Sequence, residues 1–195
     1  MIQKVLENIA HLFYPKNICP WTEREKYIVS EEYKRLSSII DSFERNKEQF
    51  SDMLKAEFDK DATLKDFQDL SQFDSMEDRC FTFLLTLVEE GELKSINLNI
   101  SILIPYYVIQ TITHKKQILI PQSKIDEIES NKLESRKIDE IVLEVEKIVE
   151  NKLCYQKFPR ELLNIIIEDI AFQDSYLGEF KTFNAFFNNQ SVPQE

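Results

Sequence analysis

One thiol and one imidazole, both in the stretch that we predict to form strands, are the side chains best suited to nucleophilic chemistry. Cys80 and His114 are residue types that act as nucleophile and general base when they lie within hydrogen-bond reach of each other. The strand register derived below places Cys80 opposite Ser101 and leaves His114 well past the paired part of the hairpin. We therefore predict that the two side chains do not meet, and interpret Cys80 as a small core or back-face residue.

Clustered carboxylates offer another possible chemistry, general acid–base catalysis. Glu168 and Asp169 lie close to Asp174 in the sequence, and three further glutamates surround a predicted turn near residue 90. Because the chain has 35 acidic residues against 24 basic ones, such clusters are commonplace from composition alone. They do not by themselves indicate an enzyme, and we predict no catalytic residues.

Sequence motifs for phosphate, dinucleotide or metal binding are missing. Gly91 and Gly178 are the only glycines, whereas phosphate-binding loops need several glycines close together so that backbone amides can reach the phosphate. Neither G-x-S-x-G nor H-E-x-x-H occurs in the sequence. The cysteines are odd in number and far apart, at Cys19, Cys80 and Cys154, which argues against a disulfide framework or a zinc site and fits a reducing compartment. We predict no cofactor and no metal.

The charge of the chain restricts its partners. A formal net charge of −11 opposes binding to a phosphate backbone or to an anionic membrane surface, so we predict neither nucleic acid nor membrane as a partner. Acidity commonly does no more than keep a protein soluble, and a basic protein partner is the more specific interpretation. The first fifteen residues are amphipathic, with Lys4, Glu7 and His11 among them, which is not a signal-peptide pattern. We predict a cytoplasmic protein and interpret His11 as a partly buried structural histidine.

The stretch from Arg79 to Thr113 is predicted to form the strands around which the rest of the chain is organised. Glu90 and Gly91 offer a tight turn, because glycine supplies the positive φ that such a turn requires. If Glu89 faces Glu92, directly opposed residues share one face of the sheet. One face, predicted to be core, then carries the apolar pairs Phe81/Ile100, Phe83/Leu98 and Leu85/Ile96. The other face, predicted to be wet or covered by polar chain, carries the pairs Thr82/Asn99, Leu84/Asn97 and Thr86/Ser95.

Further strands and helices complete the predicted fold. Pro105 cannot donate to a strand ladder and marks an edge, a bulge or a strand end, after which Tyr106–Thr113 and Gln117–Ile120 are predicted to be short strands. Apolar residues with helical spacing predict helices before and after the strands. We therefore predict one α+β domain over residues 1–195, with a small antiparallel sheet built on a central hairpin and packed by amphipathic helices. Its helical N-terminal part covers 1–75, its strands 76–122 and its C-terminal helices 123–190.

Particular patterns define the predicted helices. Ile2–Phe13 predicts a first helix with one buried stripe, and Thr22 with Glu25 predicts a capping box that opens a second helix. The run from Ile138 to Leu153 predicts a helix that lies on the sheet with its charged face in water. Pro159 opens a predicted central helix over residues 160–170, which is too apolar for the surface. We predict that most of the aromatic rings after it fill the core.

Two stretches of the chain resemble a known class of proteins. RCFTFLLTLVEEGELKSINLNISILIPYY and KFPRELLNIIIEDIAFQDSYLGEFKTFNAFFNN look like those of immunity proteins of bacterial polymorphic-toxin systems, which are small acidic cytoplasmic α+β proteins. The resemblance implies a stoichiometric inhibitor, without catalysis of its own, that binds and neutralises a cognate toxin. Two alternatives stay open: a homo-oligomeric scaffold assembled through the 138–153 helix or a strand edge, and an enzyme with a carboxylate-based site. We expect a monomer or a homodimer.

Exposed carboxylates are the predicted contacts for such a toxin. The first choice is the hairpin turn, and the second choice is a group near the C-terminal turn. The predicted partner-binding residues are Glu89, Glu90 and Glu92, followed by Asp169, Asp174 and Glu179. A solvated turn that blocks edge aggregation is the plainer interpretation of the first group. If a basic toxin binds at the turn, reversing Glu89 and Glu90 to lysine should slow association and weaken its salt dependence. The stability of the free protein should then change little.

Overall fold

A computed structural model of the chain describes residues 2–62, 64–73, 76, 78–89, 92–114 and 137–189. Helices pack on a five-stranded sheet with the strand order β1-β2-β3-β4-β5, so the predicted α+β class is confirmed. The helices are α1 Ile2–Ala10, α2 Arg24–Val29, α3 Glu31–Arg45, α4 Lys47–Phe58, α5 Ile138–Leu153 and α6 Thr182–Phe186, with a 3₁₀ turn at Arg160–Leu162. The strands are β1 Gln68–Asp69, β2 Cys80–Glu89, β3 Glu92–Ser101, β4 Tyr106–His114 and β5 Gln156–Lys157.

The hairpin register predicted from the sequence is confirmed residue by residue. Strand β2 pairs antiparallel with β3 from Cys80 opposite Ser101 to Glu89 opposite Glu92. The predicted strand after Pro105 is also confirmed, since β4 pairs antiparallel with β3. The predicted strand at 117–120 and the hairpin turn at 90–91 lie outside the described residues. Among the described residues, two short strands that the sequence did not reveal extend the sheet at its edges, with β1 antiparallel to β2 and β5 parallel to β4.

The front face of the sheet, which carries Phe81, Phe83, Leu85, Ile96, Leu98 and Ile100, forms the core. All six side chains are buried. Helix α4 contributes Phe50, whose ring stacks on that of Phe81 with centroids 4.1 Å apart. Helix α5 lies along the same face, because the backbone N–H of Ile138 donates to Glu89 and the hydroxyl of Tyr107 donates to Glu150. Burial of these large apolar side chains supplies the main driving force for folding.

Two helix predictions in the N-terminal part are wrong in their boundaries. The first helix ends at Ala10, and the stripe predicted to be buried is half on the surface, with Ile2, Val5 and Leu12 exposed. The predicted capping box at residues 22 and 25 does not form; α2 begins after Glu23 without a side-chain cap. The effective cap lies later in the chain, where the hydroxyl of Ser30 accepts a hydrogen bond from the backbone of Tyr33 and starts α3.

The helix predicted over residues 160–170 is also wrong, although its central position is confirmed. Only the 3₁₀ turn forms, and the chain then extends so that Ile167 N–H donates to the carbonyl of Phe180 at 2.8 Å. The N–H of Thr182 donates to the carbonyl of Ile165 at 2.9 Å. Three consecutive β-branched isoleucines at 165–167 favour this extended pairing over a helix. Leu163, Ile167 and Ile170 are still buried.

Candidate binding groove on the back face of the sheet

The back face of the sheet, which carries Thr82, Leu84, Thr86, Ser95, Asn97 and Asn99, is polar and only partly covered. At one end the C-terminal segment closes over it. The hydroxyl of Thr82 and the amide of Asn188 both donate to Oδ1 of Asn99, at 3.1 Å and 3.3 Å. Towards the middle of the strands this cover ends, and the face opens into a groove.

The groove has a volume of about 750 Å³ and lies directly on the strands. We call it the back-face groove. Its floor comes from β2, β3 and β4, through Thr82, Leu84, Asn97 and Ile112. Its walls come from the segment around β1 and from the C-terminal part of the chain, through Asp69, Leu70, Ser71, Gln72, Asp78, Asp174, Asn188 and Asn189. Its volume falls within the range of roughly 300–1,000 Å³ that is usual for ligand pockets.

The lining of the back-face groove is acidic. Asp69, Asp78 and Asp174 contribute carboxylates, and of the described residues that line the groove none is basic. Local backbone holds two of these carboxylates in place. Oδ1 of Asp69 accepts from both the N–H and the hydroxyl of Ser71, at 2.9 Å and 2.6 Å, and Oδ2 of Asp78 accepts from the N–H of Gln72 at 2.7 Å. The groove therefore presents pre-positioned negative charge.

Asn97 gives the floor an unsatisfied acceptor. Its side chain lines the groove although the residue is only 8% exposed. Its Oδ1 has no hydrogen-bond partner among the residues that the structure describes. An unpaired buried polar atom costs about 1–3 kcal/mol. The described residues contain four others, among them Nδ2 of Asn99, but of the five residues only Asn97 lines the groove. A ligand that brings a donor to this carboxamide would remove that cost.

Arg79 fixes the C-terminal wall of the groove from behind. Its side chain is fully buried, and its guanidinium donates to the carbonyl of Asn184 at 2.6 Å and to Oδ1 of Asn189 at 2.7 Å. It also donates to the carbonyl of Met76 and to Oε1 of Gln173, each at 3.1 Å. One side chain thus ties the segment before β2 to three parts of the C-terminal segment. This makes the wall a fixed surface rather than a loose tail.

At the predicted turn site, the first residue, Glu89, already has partners within the fold. Glu89 is only 17% exposed, forms an ion pair with Lys94, and accepts the N–H of Ile138 at 2.8 Å. The expectation that this side chain projects into water is therefore wrong. A small effect of its reversal on stability is then no longer expected, because the carboxylate accepts a hydrogen bond from the first residue of α5. Glu92 is exposed, and Glu90 lies outside the described residues.

Neutralising Glu89 should reveal this contact through pH. Two hydrogen bonds hold the pKa of Glu89 below its usual range. The larger effect comes from Lys94 and the smaller from the N–H of Ile138. A depressed pKa contributes stability that is present above the unfolded pKa of about 4.3 and is lost as pH falls through the folded value. We expect Glu89→Gln to lower the free energy of unfolding by about 1 kcal/mol at pH 7, and by less as pH falls towards 3. Urea unfolding at pH 7, 5 and 3 measures this, with Glu92→Gln as the matched exposed control. Equal, pH-independent losses in the two variants would contradict it.

The residues of the second predicted group have different local surroundings. Oδ1 of Asp169 accepts a hydrogen bond at 2.8 Å from Nε2 of His11, and Oδ2 of Asp169 lies 3.9 Å from Nζ of Lys16. Glu179 accepts from the N–H of Tyr176 at 3.3 Å. Only Asp174 lines the back-face groove, where it joins Asp69 and Asp78. Sequence reasoning missed that combination, since Asp174 is about a hundred residues away from the other two aspartates along the chain.

A serine and a histidine that sequence reasoning did not pair also meet on the back face. Oγ of Ser95 lies 2.8 Å from Nε2 of His114 and 3.1 Å from the hydroxyl of Thr86. This is the spacing of a nucleophile and a base, but Ser95 is only 2% exposed, so its hydroxyl has no open surface for a substrate. The predicted separation of Cys80 from His114 is confirmed, because Cys80 pairs with Ser101 at one end of β3 and His114 pairs with Leu93 at the other end. Burial raises the pKa of the Cys80 thiol, which opposes formation of the nucleophilic thiolate.

None of the described helices is both long and apolar enough to cross a membrane. The described ranges contain no group of three or more histidine, cysteine, aspartate or glutamate residues that could hold a metal ion. No protein-family model, no curated protein and no solved structure matches the chain.

Proposed function

We propose that this chain is an acidic inhibitor protein that binds a cognate toxin, or another basic protein, one-to-one in the cytoplasm and neutralises it. The observation that carries the proposal is the back-face groove, an open site of about 750 Å³ lined by three aspartates and, among its described residues, by no base. Such a lining favours a positively charged occupant. The protein itself is a monomer or a homodimer in this proposal.

The charge of the whole chain supports a basic partner. A net charge of −11 creates a negative potential that speeds the encounter with a basic protein and repels acidic ones. The groove concentrates part of that charge in a concave surface, where carboxylates are partly shielded from water and act more strongly than on an open surface. Speed and selectivity are the properties that an inhibitor of a toxic enzyme needs.

The geometry favours binding over catalysis. The Ser95–His114 pair has no open surface at the hydroxyl, and the Cys80 thiol is fully buried. The two hydroxyl groups that line the groove already donate hydrogen bonds within the protein, Ser71 to Asp69 and Thr82 to Asn99. What the groove offers to a ligand is therefore negative charge, hydrogen-bond acceptors and some apolar surface, which suits recognition of a cationic segment.

Co-expression with the product of the adjacent reading frame tests the proposal. A toxin encoded there should arrest growth when expressed alone, and co-expression of this chain should restore growth. The two purified proteins should form a 1:1 complex by light scattering. Restored growth without complex formation would overturn direct inhibition. A large homo-oligomer that forms without any partner and leaves toxicity unchanged would favour the scaffold alternative.

Neutralising the groove should slow association with that toxin. Asp69→Asn with Asp174→Asn removes two charges while keeping side-chain size, and we expect the on-rate at low salt to fall about tenfold with a weaker salt dependence. Glu48→Gln with Glu140→Gln is the matched control, since both residues are exposed on helices that pack on the front face. Stopped-flow binding at several salt concentrations measures the rates. If both double variants slow association equally, the overall charge of the protein and not the groove sets the on-rate. If only Glu92→Gln slows association, the partner binds at the hairpin turn.

A further inference from the structure

The unsatisfied carboxamide at the floor of the back-face groove indicates what kind of side chain the groove receives. We infer that it binds one arginine of the partner, with the guanidinium between the carboxylates of Asp69 and Asp174 and the carboxamide of Asn97. This inference rests on the proposed function and names the anchor residue that the inhibitor would capture. It does not depend on which toxic activity the partner has.

The chemistry of the lining calls for a cation that carries several donors. Oδ1 of Asn97 is an acceptor without a partner among the described residues, so only a donor can satisfy it. Both hydrogen bonds from Ser71 reach Oδ1 of Asp69, which leaves Oδ2 of that carboxylate outside the Ser71 turn. Asp174 is exposed on the wall. A neutral donor would satisfy the amide but leave this negative charge without compensation.

The apolar part of the groove fits the stem of a long side chain. Leu84 and Ile112 lie on the floor beside Asn97, and Leu70 on the wall is 44% exposed. Methylene groups of lysine and arginine pack on such surfaces while the charged head reaches polar groups. The guanidinium suits this site better than an ammonium, because it is more weakly hydrated and its flat fork donates to several acceptors in fixed directions.

The position of Asn97 makes its unsatisfied acceptor costly in the free protein. Asn97 pairs with Leu84 on one side and with Gln110 on the other, so it lies in the middle of the sheet, where apolar residues are the usual occupants of a covered face. Oδ1 of Asn97 is itself buried in the free protein, so in the complex the side chain turns about its broad terminal torsion to bring this atom to a donor in the groove. A buried asparagine at this point is therefore costly in the free protein and useful in the complex.

Small arginine probes test the site without the toxin. N-acetyl-arginine amide, N-acetyl-lysine amide and N-acetyl-citrulline amide would be titrated separately into the ¹⁵N- and methyl-labelled full chain. We expect saturable shifts of the Asn97 side-chain amide and of the Leu84 and Ile112 methyl groups with the arginine probe, at least fivefold weaker binding of the lysine probe, and no saturation with citrulline. Equal binding of lysine and arginine would overturn the choice of guanidinium. Saturable shifts confined to other surfaces, or none, would overturn the site.

Two variants of the floor residue keep the test decisive. Asn97→Leu should weaken the arginine probe at least tenfold, and Asn151→Leu, an exposed asparagine on α5, is the matched control with unchanged binding. Asn97→Asp places a carboxylate at the same position and should preserve or tighten binding, which covers the case that the leucine variant does not fold. Unchanged binding in a folded Asn97→Leu variant, or loss of binding in a folded Asn97→Asp variant, would overturn the role of this residue.

The outcome separates this inference from the proposed function. Saturable arginine binding in the groove, together with a failure to neutralise the adjacent toxin, would leave the arginine site standing and overturn the inhibitor. Neutralisation that is unaffected by Asn97→Leu and by the Asp69/Asp174 double variant would leave the inhibitor standing and overturn the arginine site.

Discussion

Replacing Arg79 with methionine should lower the free energy of unfolding by about 3 kcal/mol or more, because the side chain is fully buried and its guanidinium joins separate parts of the chain. The carbonyl of Asn184 would lose both of its bonds from this guanidinium, at 2.6 Å and 3.1 Å. Oδ1 of Asn189 would lose its donor as well. Each buried acceptor left without a donor costs about 1–3 kcal/mol, and methionine restores only the packing.

Urea unfolding followed by circular dichroism measures this loss. Arg79→Lys should also be strongly destabilised, since the compact ammonium of lysine lacks the flat fork of donors with which the guanidinium reaches several acceptors at once. Arg24→Met is the matched control: Arg24 is exposed on α2, and its replacement should change stability by no more than about 0.5 kcal/mol. A loss below about 1 kcal/mol in Arg79→Met would show that the C-terminal wall is held by other contacts. Arginine-probe binding should weaken in the same variant, because Asn189 lines the groove.

The hairpin could be predicted from sequence because its signals are local. Alternation with period two fixes which side chains share a face, and one turn fixes the register. The pairs from Phe81/Ile100 to Leu85/Ile96 follow from those two facts alone, and the structure has the same pairs. No long-range information was needed for this part of the core.

The C-terminal quarter could not be predicted in the same way, because its conformation depends on remote contacts. The isoleucines at 165–167 have apolar character that fits a buried helix as well as a buried extended segment. The backbone of Phe180–Thr182, which bonds to this segment, decides between the two. The burial of Arg79 could not be predicted either, since an arginine beside a strand is normally exposed, and only the folded chain brings carbonyl and amide acceptors around it.

The back-face groove depends both on local strand alternation and on contacts between remote parts of the chain. The alternation of β3 places Asn97 and Asn99 on the polar face, and the sequence shows this directly. Which of them is covered depends on where the C-terminal segment ends its contact: Asn188 reaches Asn99, while Asn97 faces the groove. Asp69 and Asp174 come to that groove from positions more than a hundred residues apart. A groove assembled in this way has no sequence motif, whereas the carboxylates at the hairpin turn are neighbours in the sequence and could be proposed from it.

The second large effect is expected on the opposite face of the same strand. Phe81 stacks on Phe50 with centroids 4.1 Å apart, and lies edge-on to Phe73 at 5.1 Å and to Phe43 at 6.0 Å. Its ring therefore joins α3, α4 and the segment before β2 to the sheet. Phe81→Ala should lower the free energy of unfolding by about 3–5 kcal/mol, through lost burial and a cavity that these rings cannot fill by collapse.

Chemical denaturation of Phe81→Ala beside Tyr176→Ala separates core packing from loss of any ring. Tyr176 is 58% exposed, so its truncation should cost less than about 0.5 kcal/mol. Because Thr82, the next residue, points into the back-face groove, the folded fraction of Phe81→Ala should still bind the arginine probe with nearly unchanged affinity. A cost below about 1.5 kcal/mol would mean that α3 and α4 close over the vacated space. A loss of probe binding in the folded state would mean that front-face packing sets the shape of the groove, so that core and site are one coupled structure.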